Sequence, residues 1–307
     1  MSLRINNNIE SMNAHRNLLM NDRALSKSLE RLASGQKINR AADDPAALVI
    51  SEHMRAQVSG MKQAIRNNEV AISLVQTAEG SMNEISSILV SLRQRAISAA
   101  NVGASDQDMI DANQAEIENA LASIDRVVST TQFGHYKLLD GTNAAKTETN
   151  EDGSISTQEG LRFHVGPNAE HMASTSIRDM STSALGRVTV QEGEIPNKSN
   201  FMSLADIDVR NEQGAQDALA IIDQALTEVA TVRGELGAFQ KHTLESNLTS
   251  LQVAAENMTA AESTIRDTDM AQELATFTRN QIMTQSATAQ LAQANAMPQH
   301  VLRLLNG

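Results

Sequence analysis

Cysteine is absent from all 307 residues, which removes disulfides, thiolate nucleophiles and Cys-ligated zinc together. Tryptophan is missing too, tyrosine occurs once (Tyr136), and aromatic residues make up 2% of the chain. A chain this poor in rings can build thin helical seams but lacks the bulk that fills a wide globular core, so an elongated helical protein is expected. No apolar run approaches the roughly 18 residues that a bilayer span requires, and no membrane insertion is expected. The opening stretch from Met1 to Glu10 carries neither an apolar h-region nor a small-residue cleavage site. The expectation is therefore an intracellular chain, or one exported by a route that reads no cleavable signal.

Enzymatic motifs are also lacking. Seven histidines occur without a His-Glu-x-x-His zinc helix, and His164 and His171 flank a turn with no clustered carboxylates. Asp43-Asp44 is better explained as the start of a helix at Pro45 than as a metal pair, and no Gly-rich phosphate loop is present. A non-enzyme with no cofactor and no metal is expected. With 25 basic against 37 acidic residues the formal charge is −12, which argues against nucleic-acid binding. The distribution is uneven: residues 1–66 carry ten Lys/Arg against six Asp/Glu, and residues 140–217 carry six against thirteen.

What the sequence has in abundance is helical periodicity. From Pro45 to about Ala100, apolar residues alternate at steps of four and three: Met54, Val58, Met61, Ile65, Ile72, Val75, Met82 and Leu89. That spacing is one helix face packed along another helix, and no strand satisfies it. The helix would be on the order of 80 Å long. Asn68, Glu79 and Ser86 occupy positions where the series calls for apolar residues. Gly60 and Gly80 also interrupt it, more simply as tolerated defects than as points of close approach.

Around this rod the chain is nearly symmetric. Residues 3–33 form an amphipathic helix with Leu18, Leu25 and Leu32 seven apart, ended by Ser34-Gly35. Asp44 caps the rod ahead of Pro45. Ser105 and Asp108 form a capping box for a fold-back helix bearing Ile110, Ile117, Leu121, Ile124 and Val128. Thr142 to Gly160 is expected to be an exposed loop with a tight turn at Asp152-Gly153. Leu161, Phe163 and Val165 open a small hairpin that turns at Gly166-Pro-Asn168 and returns over His171 to Arg178. No pattern emerges over 187–205. A second long helix runs from Gln216, its face slipping register between Phe239 and Leu244, through Leu251 and Met258 to Ile265. A last helix begins near Met270 and reaches Pro298, ahead of an apolar end. The expected fold is mainly α: an elongated multi-helix coiled-coil bundle formed by both chain ends, with a small β-hairpin region in the middle. The expected segments are 1–40, 41–140, 141–205, 206–268 and 269–307.

Arg31-Leu-Ala-Ser-Gly-Gln-Lys-Ile-Asn-Arg-Ala-Ala-Asp-Asp44 resembles the N-terminal signature of bacterial flagellins. Ile124-Asp-Arg-Val127, Thr131-Gln-Phe133, Leu138-Leu-Asp-Gly141 and Phe163-His-Val-Gly166 are similar to that family's next block. Ser263-Thr-Ile-Arg-Asp-Thr-Asp269, Gln281-Ile-Met-Thr-Gln285 and Leu291-Ala-Gln-Ala-Asn-Ala-Met-Pro-Gln299 resemble its C-terminal signature. Ala47 stands where many flagellins have Gly, a change that favours helix. The middle is short, as if the outer domains of large flagellins were missing.

The resemblance implies a subunit of the helical flagellar filament, a homopolymer outside the cell. It implies export through the flagellar type III apparatus, a secretion chaperone on the C-terminal helix, and hook-associated and cap proteins as neighbours. Mismatched terminal stripes give a monomer reason to polymerise, and the residues expected to carry assembly are Leu18, Leu25, Leu32, Met54, Ile65, Leu251, Met258, Leu291 and Leu302. An innate receptor detects many relatives through a motif Leu-Gln-Arg-Val-Arg-Glu-Leu. Here the stretch reads Leu89, Val90, Ser91, Leu92, Arg93, Gln94, Arg95, so an Arg and a carboxylate are lost and weak receptor activation is expected. A hook-filament junction protein of the same family and a non-flagellar coiled-coil scaffold are the rival readings.

Overall fold

The computed structural model describes residues 8–101, 106–144, 146–149, 155–158, 160–187 and 199–305. Its helices are α1 (Ile9–Ser34), α2 (Pro45–Ala100), α3 (Gln107–Thr130), α4 (Glu212–Ala238), α5 (Ser246–Arg266) and α6 (Met270–Leu305). The strands form three antiparallel pairs: β1 (Gln132–Phe133) with β2 (Tyr136–Lys137), β3 (Lys146–Thr149) with β4 (Ile155–Gln158), and β5 (Leu161–His164) with β6 (Met172–Thr175). The mainly helical architecture with a small hairpin region matches the expectation. The chain divides into two compact units, Met1–Val58 with Glu256–Gly307, and Ser59–Ala255.

The central unit, 59–255, is built on three helices. The face expected of α3 is the face it buries: Ile110, Ile117, Leu121, Ile124 and Val128. It joins one cluster with Val75, Met82, Ile85, Leu89 and Leu92 of α2 and with Ile221, Ile222, Val229, Val232 and Leu236 of α4. The non-helical middle closes this core rather than hanging free: Leu138, Leu139, Ile177, Leu185 and Leu204 are fully buried in it. Gln114 holds the last of these segments with one amide, donating to the Ile207 carbonyl at 3.2 Å and accepting from the Val209 N–H at 2.9 Å. Gly141 closes the Leu-Leu-Asp-Gly turn at φ 73°, where a Cβ would also lie 2.8 Å from that of Asp179.

Between α4 and α5, Phe239–Glu245 is a π-helical turn. Bonds running from i to i+5 absorb the five-residue step from Phe239 to Leu244, so the register slip is a helix that widens without breaking. Phe239 meets Phe163 of β5 with ring centroids 6.3 Å apart. The hairpin is gripped from both helices beside it. Asn67 of α2 donates to the His164 carbonyl at 3.1 Å, and the Val165 carbonyl accepts from Asn247 of α5 at 2.6 Å and from Asn68 of α2 at 3.4 Å. Asn68 is 0% exposed. Its amide donates to the Ala64 carbonyl of its own helix at 2.9 Å and adds the longer bond to the hairpin, so this break in the apolar stripe is a partnered polar position at the hairpin.

Several local expectations change. Gly60 is a close approach, since a Cβ there would lie 3.1 Å from Pro167 at the hairpin turn, whereas Gly80 faces open space. The stretch from Thr142 to Gly160 contains the β3–β4 pair, in register from Lys146 opposite Gln158 to Thr149 opposite Ile155. Asp152-Gly153 lies outside the described residues, as does Ser105. Asp106, not Ser105, caps α3, its carboxylate accepting from the Gln107 N–H at 2.8 Å. Most of 187–205 is outside the description too, but Ser203 and Asp206 form a capping box around the turn Leu204–Asp206.

Candidate assembly surface

The terminal unit is built on α1 and α6 lying side by side. Bonds from Asn8 to the Ala294 carbonyl at 2.8 Å, from Asn21 to the Met283 carbonyl at 3.4 Å and from Asn280 to Ser28 at 3.4 Å make the pair antiparallel. Among the less exposed positions of α1 are Ser11, Ala14, Leu18, Asn21, Leu25, Ser28 and Leu32, and among those of α6 Glu273, Phe277, Asn280, Thr284, Ala287, Leu291 and Ala294. Both sets step by three and four, the geometry of a coiled coil. The leucine stripe of α1 was legible, but the small and polar residues interleaved with it were not. An Asn or Ser in a seam shows only when its partner carbonyl on the other helix is known.

α6 runs through Pro298 instead of stopping there. Proline has no N–H, so within the helix the Ala294 carbonyl loses its usual donor. The Asn8 amide supplies one, while the Asn8 side-chain oxygen caps α1 by accepting from the Ser11 N–H at 3.0 Å. One asparagine thus starts α1 and satisfies the carbonyl that Pro298 leaves free.

At the other end of the pair the two sequence signatures meet. Lys37 N–H donates to the Arg266 carbonyl at 2.7 Å and Thr268 N–H to the Gly35 carbonyl at 2.9 Å, a backbone bridge between Gln36 and Asp267. Gly35 ends α1 at φ 72°, as expected of the Ser-Gly pair. The Asp44 carboxylate accepts from the Ala47 N–H at 3.0 Å, which is the expected cap of α2, and Asp269 caps α6 through the Ala271 N–H at 2.9 Å. Asp43 accepts from Lys27 at 2.7 Å and from the N–H groups of Arg40 and Asn39. The Lys27 ammonium and then these amides hold its carboxyl down to about 2. Arg266 reaches Glu52 at 2.7 Å and lowers that carboxyl as well. Ile38 is the one apolar residue of this joint that is fully covered, at 3% exposure.

Outside the seam the helices are open. Ile9, Met12, Leu19 and Met20 share one exposed flank of α1, and Leu274, Ile282 and Met283 line an open apolar groove of about 600 Å³ on α6. Of the residues expected to carry assembly, Leu18, Leu25, Leu32, Met54, Ile65, Met258 and Leu291 are half-buried, and Leu251 is buried. The side chain of Leu302 lies outside the described residues. In the receptor-like stretch, Val90, Ser91, Arg93, Gln94 and Arg95 are exposed, but Leu92 is 1% exposed and belongs to the core. Arg93 pairs with Asp223 at 2.6 Å and Arg95 with Glu116 at 2.7 Å. Among the described residues, no three His, Asp or Glu side chains gather to hold a metal, and no helix is long and apolar enough to cross a membrane.

Residues 5–144 match the bacterial flagellin N-terminal helical region, and residues 219–305 match the bacterial flagellin C-terminal helical region. Flagellin of Bacillus subtilis is 40% identical over 99% of this chain and 100% of its own length. The flagellar filament 30.7 kDa core protein of Treponema maltophilum is 39% identical over 98% of this chain and 99% of its own. A solved structure described as a flagellar hook-associated protein of Vibrio parahaemolyticus superposes with a TM-score of 0.56, covering 73% of this chain and 100% of its own at 14% identity, a likeness of fold. With both helical regions matched and whole-length identity near 40%, the chain belongs to the bacterial flagellin family.

Proposed function

We propose that this chain is a structural subunit that polymerises with copies of itself into a flagellar filament, and that it catalyses no reaction. The observation that carries this reading is the open α1–α6 pair at the two chain ends, in a chain whose whole-length relatives are flagellins and filament core proteins. A second copy covers the exposed flanks, and heterologous contacts that do not close on themselves extend into a helical polymer. Residues 1–40 and 269–307 form the inner core of the filament, with 41–140 and 206–268 as the layer of long helices around it and 141–205 as its hairpin region. Leu18, Leu25, Leu32, Met54, Ile65, Leu251, Met258, Leu291 and Leu302 carry the seams.

The finer placement belongs to the same proposal: the filament lies outside the cell, and the subunit leaves through the flagellar export apparatus with a chaperone on its C-terminal helix. The apolar groove at Leu274, Ile282 and Met283 supports such a chaperone site. Hook-associated and cap proteins contact the filament ends. The fold likeness to a hook-associated protein is far weaker in sequence than the flagellin matches, which favours the filament over the junction. Electron microscopy of the purified, polymerised protein tests this: long helical filaments are expected, and short capped stacks or dimers would contradict it. Deleting residues 270–307 is expected to leave a soluble monomer.

The receptor surface is proposed to be weakened. Ser91 is exposed where the recognised motif has an arginine, and Arg93 is engaged by Asp223. A reporter-cell assay should show a weak response that rises with Ser91→Arg; a full response to the unaltered chain would refute this.

A further inference from the structure

The chain has fourteen methionines and no cysteine, so thioethers are its readily oxidised sulfur groups. In the central unit Met61, Met82 and Met180 are buried, and Met109, Met172 and Met202 are exposed. On the terminal helix pair none of the described methionines is buried: Met12 is 68% exposed, and Met20, Met270, Met283 and Met297 lie between 46% and 54%. Met12 and Met20 sit on the flank of α1 with Ile9 and Leu19; Met283 lines the open groove of α6. The proposed polymer would cover these faces.

We propose that Met12, Met20, Met270, Met283 and Met297 form an oxidation-sensitive site by which peroxides withdraw the unassembled chain from polymerisation. The proposal rests on the assembly reading above. The thioether sulfur attacks one peroxide oxygen and the O–O bond breaks. Sulfur is oxidised by two electrons to the sulfoxide, and hydrogen peroxide is reduced to water. The product is a polar, chiral group on a face that must be desolvated when the next copy docks. Burying an unpaired polar group of this kind slows or weakens addition roughly tenfold. Sulfoxide reductases reverse the step, so the loss is recoverable. Once the faces are covered in the polymer the same sulfurs are shielded, and the filament resists the oxidant that disables its monomer.

The test is seeded growth followed by sedimentation, with the full chain and hydrogen peroxide as probe. Untreated chain must grow; if it does not, the assembly reading fails before the oxidation question is reached. Peroxide-treated chain, shown by peptide mass spectrometry to carry sulfoxide at the five positions and by circular dichroism to keep its helices, is expected to add roughly tenfold more slowly. Treatment with both methionine sulfoxide reductases is expected to restore growth. A chain with all five changed to Leu should grow and ignore peroxide. Should that variant fail to grow, the reductase rescue decides. Growth at the untreated rate with sulfoxide present, growth that stays slow after repair, or equal oxidation of the five sites in monomer and filament overturns the proposal.

Discussion

The two units are made of the same kind of long, ring-poor helix, yet they differ in how much they bury. Among the described residues, 38 of the 41 buried apolar side chains lie within 59–255; only Ile38, Ala287 and Ala294 belong to the terminal unit. The exposed large apolar residues run the other way, with 12 of 20 in the terminal unit. Helix content is therefore no guide to self-sufficiency. The central unit has a third helix and a folded middle segment to close its core, while α1 and α6 have mainly each other. A two-helix pair can cover one stripe on each helix, and the rest of the apolar surface stays in water until another copy arrives.

The largest expected effect breaks the central unit. Ile117→Ala removes a side chain that is 0% exposed, and should lower the unfolding free energy by about 2–5 kcal/mol in urea titrations. Leu18→Ala, in a half-buried seam, should cost the monomer about 1 kcal/mol or less and yet impair sedimentable polymer. If the two substitutions affected the monomer equally, the contrast between the units would be lost.

Next in size is the polar grip on the hairpin. Asn247→Leu removes the 2.6 Å donor to the Val165 carbonyl and should cost about 1–3 kcal/mol of central-unit stability. Asn68 is the reason such a grip is hard to read in advance. Besides the Ala64 carbonyl of its own helix at 2.9 Å, it reaches the Val165 carbonyl 97 residues away, so in sequence it registers only as a break in an apolar stripe. The same holds for Gly60 against Pro167 and for the polar seam of α1. By contrast, the faces of α2, α3 and α4, the cap at Asp44-Pro45 and the slip at Phe239 were legible, because helical period and capping are local properties. The β3–β4 pair escaped because Lys146-Thr-Glu-Thr149 and Ile155-Ser-Thr-Gln158 have no apolar alternation and are held by a backbone ladder. The two signatures were legible as motifs, but not that they are halves of one joint.

A smaller and local effect concerns pH. The Asp43 carboxyl is held near 2, below its ordinary 3.8. A depressed carboxyl adds stability that is complete above the ordinary value and is lost as pH falls through the folded one. The joint at Gln36 and Asp267 should therefore loosen between about pH 4 and 2, seen as faster amide exchange at Lys37 and Thr268. Asp43→Asn should remove that step, and an unchanged acid profile would separate Asp43 from the joint. Least of all, Arg93→Ala should leave the melting temperature of the central unit unchanged, because its pair with Asp223 is exposed.

Amide hydrogen exchange on monomer and filament compares the two units in one measurement. In the monomer, the buried stretches of α2, α3 and α4 should be protected to near the global unfolding free energy, while α1 and α6 exchange through local opening. In the filament, α1 and α6 should become protected as well. If α1 and α6 were already as protected as α3 in the monomer, or gained nothing on polymerisation, the terminal unit would not be a surface completed by assembly.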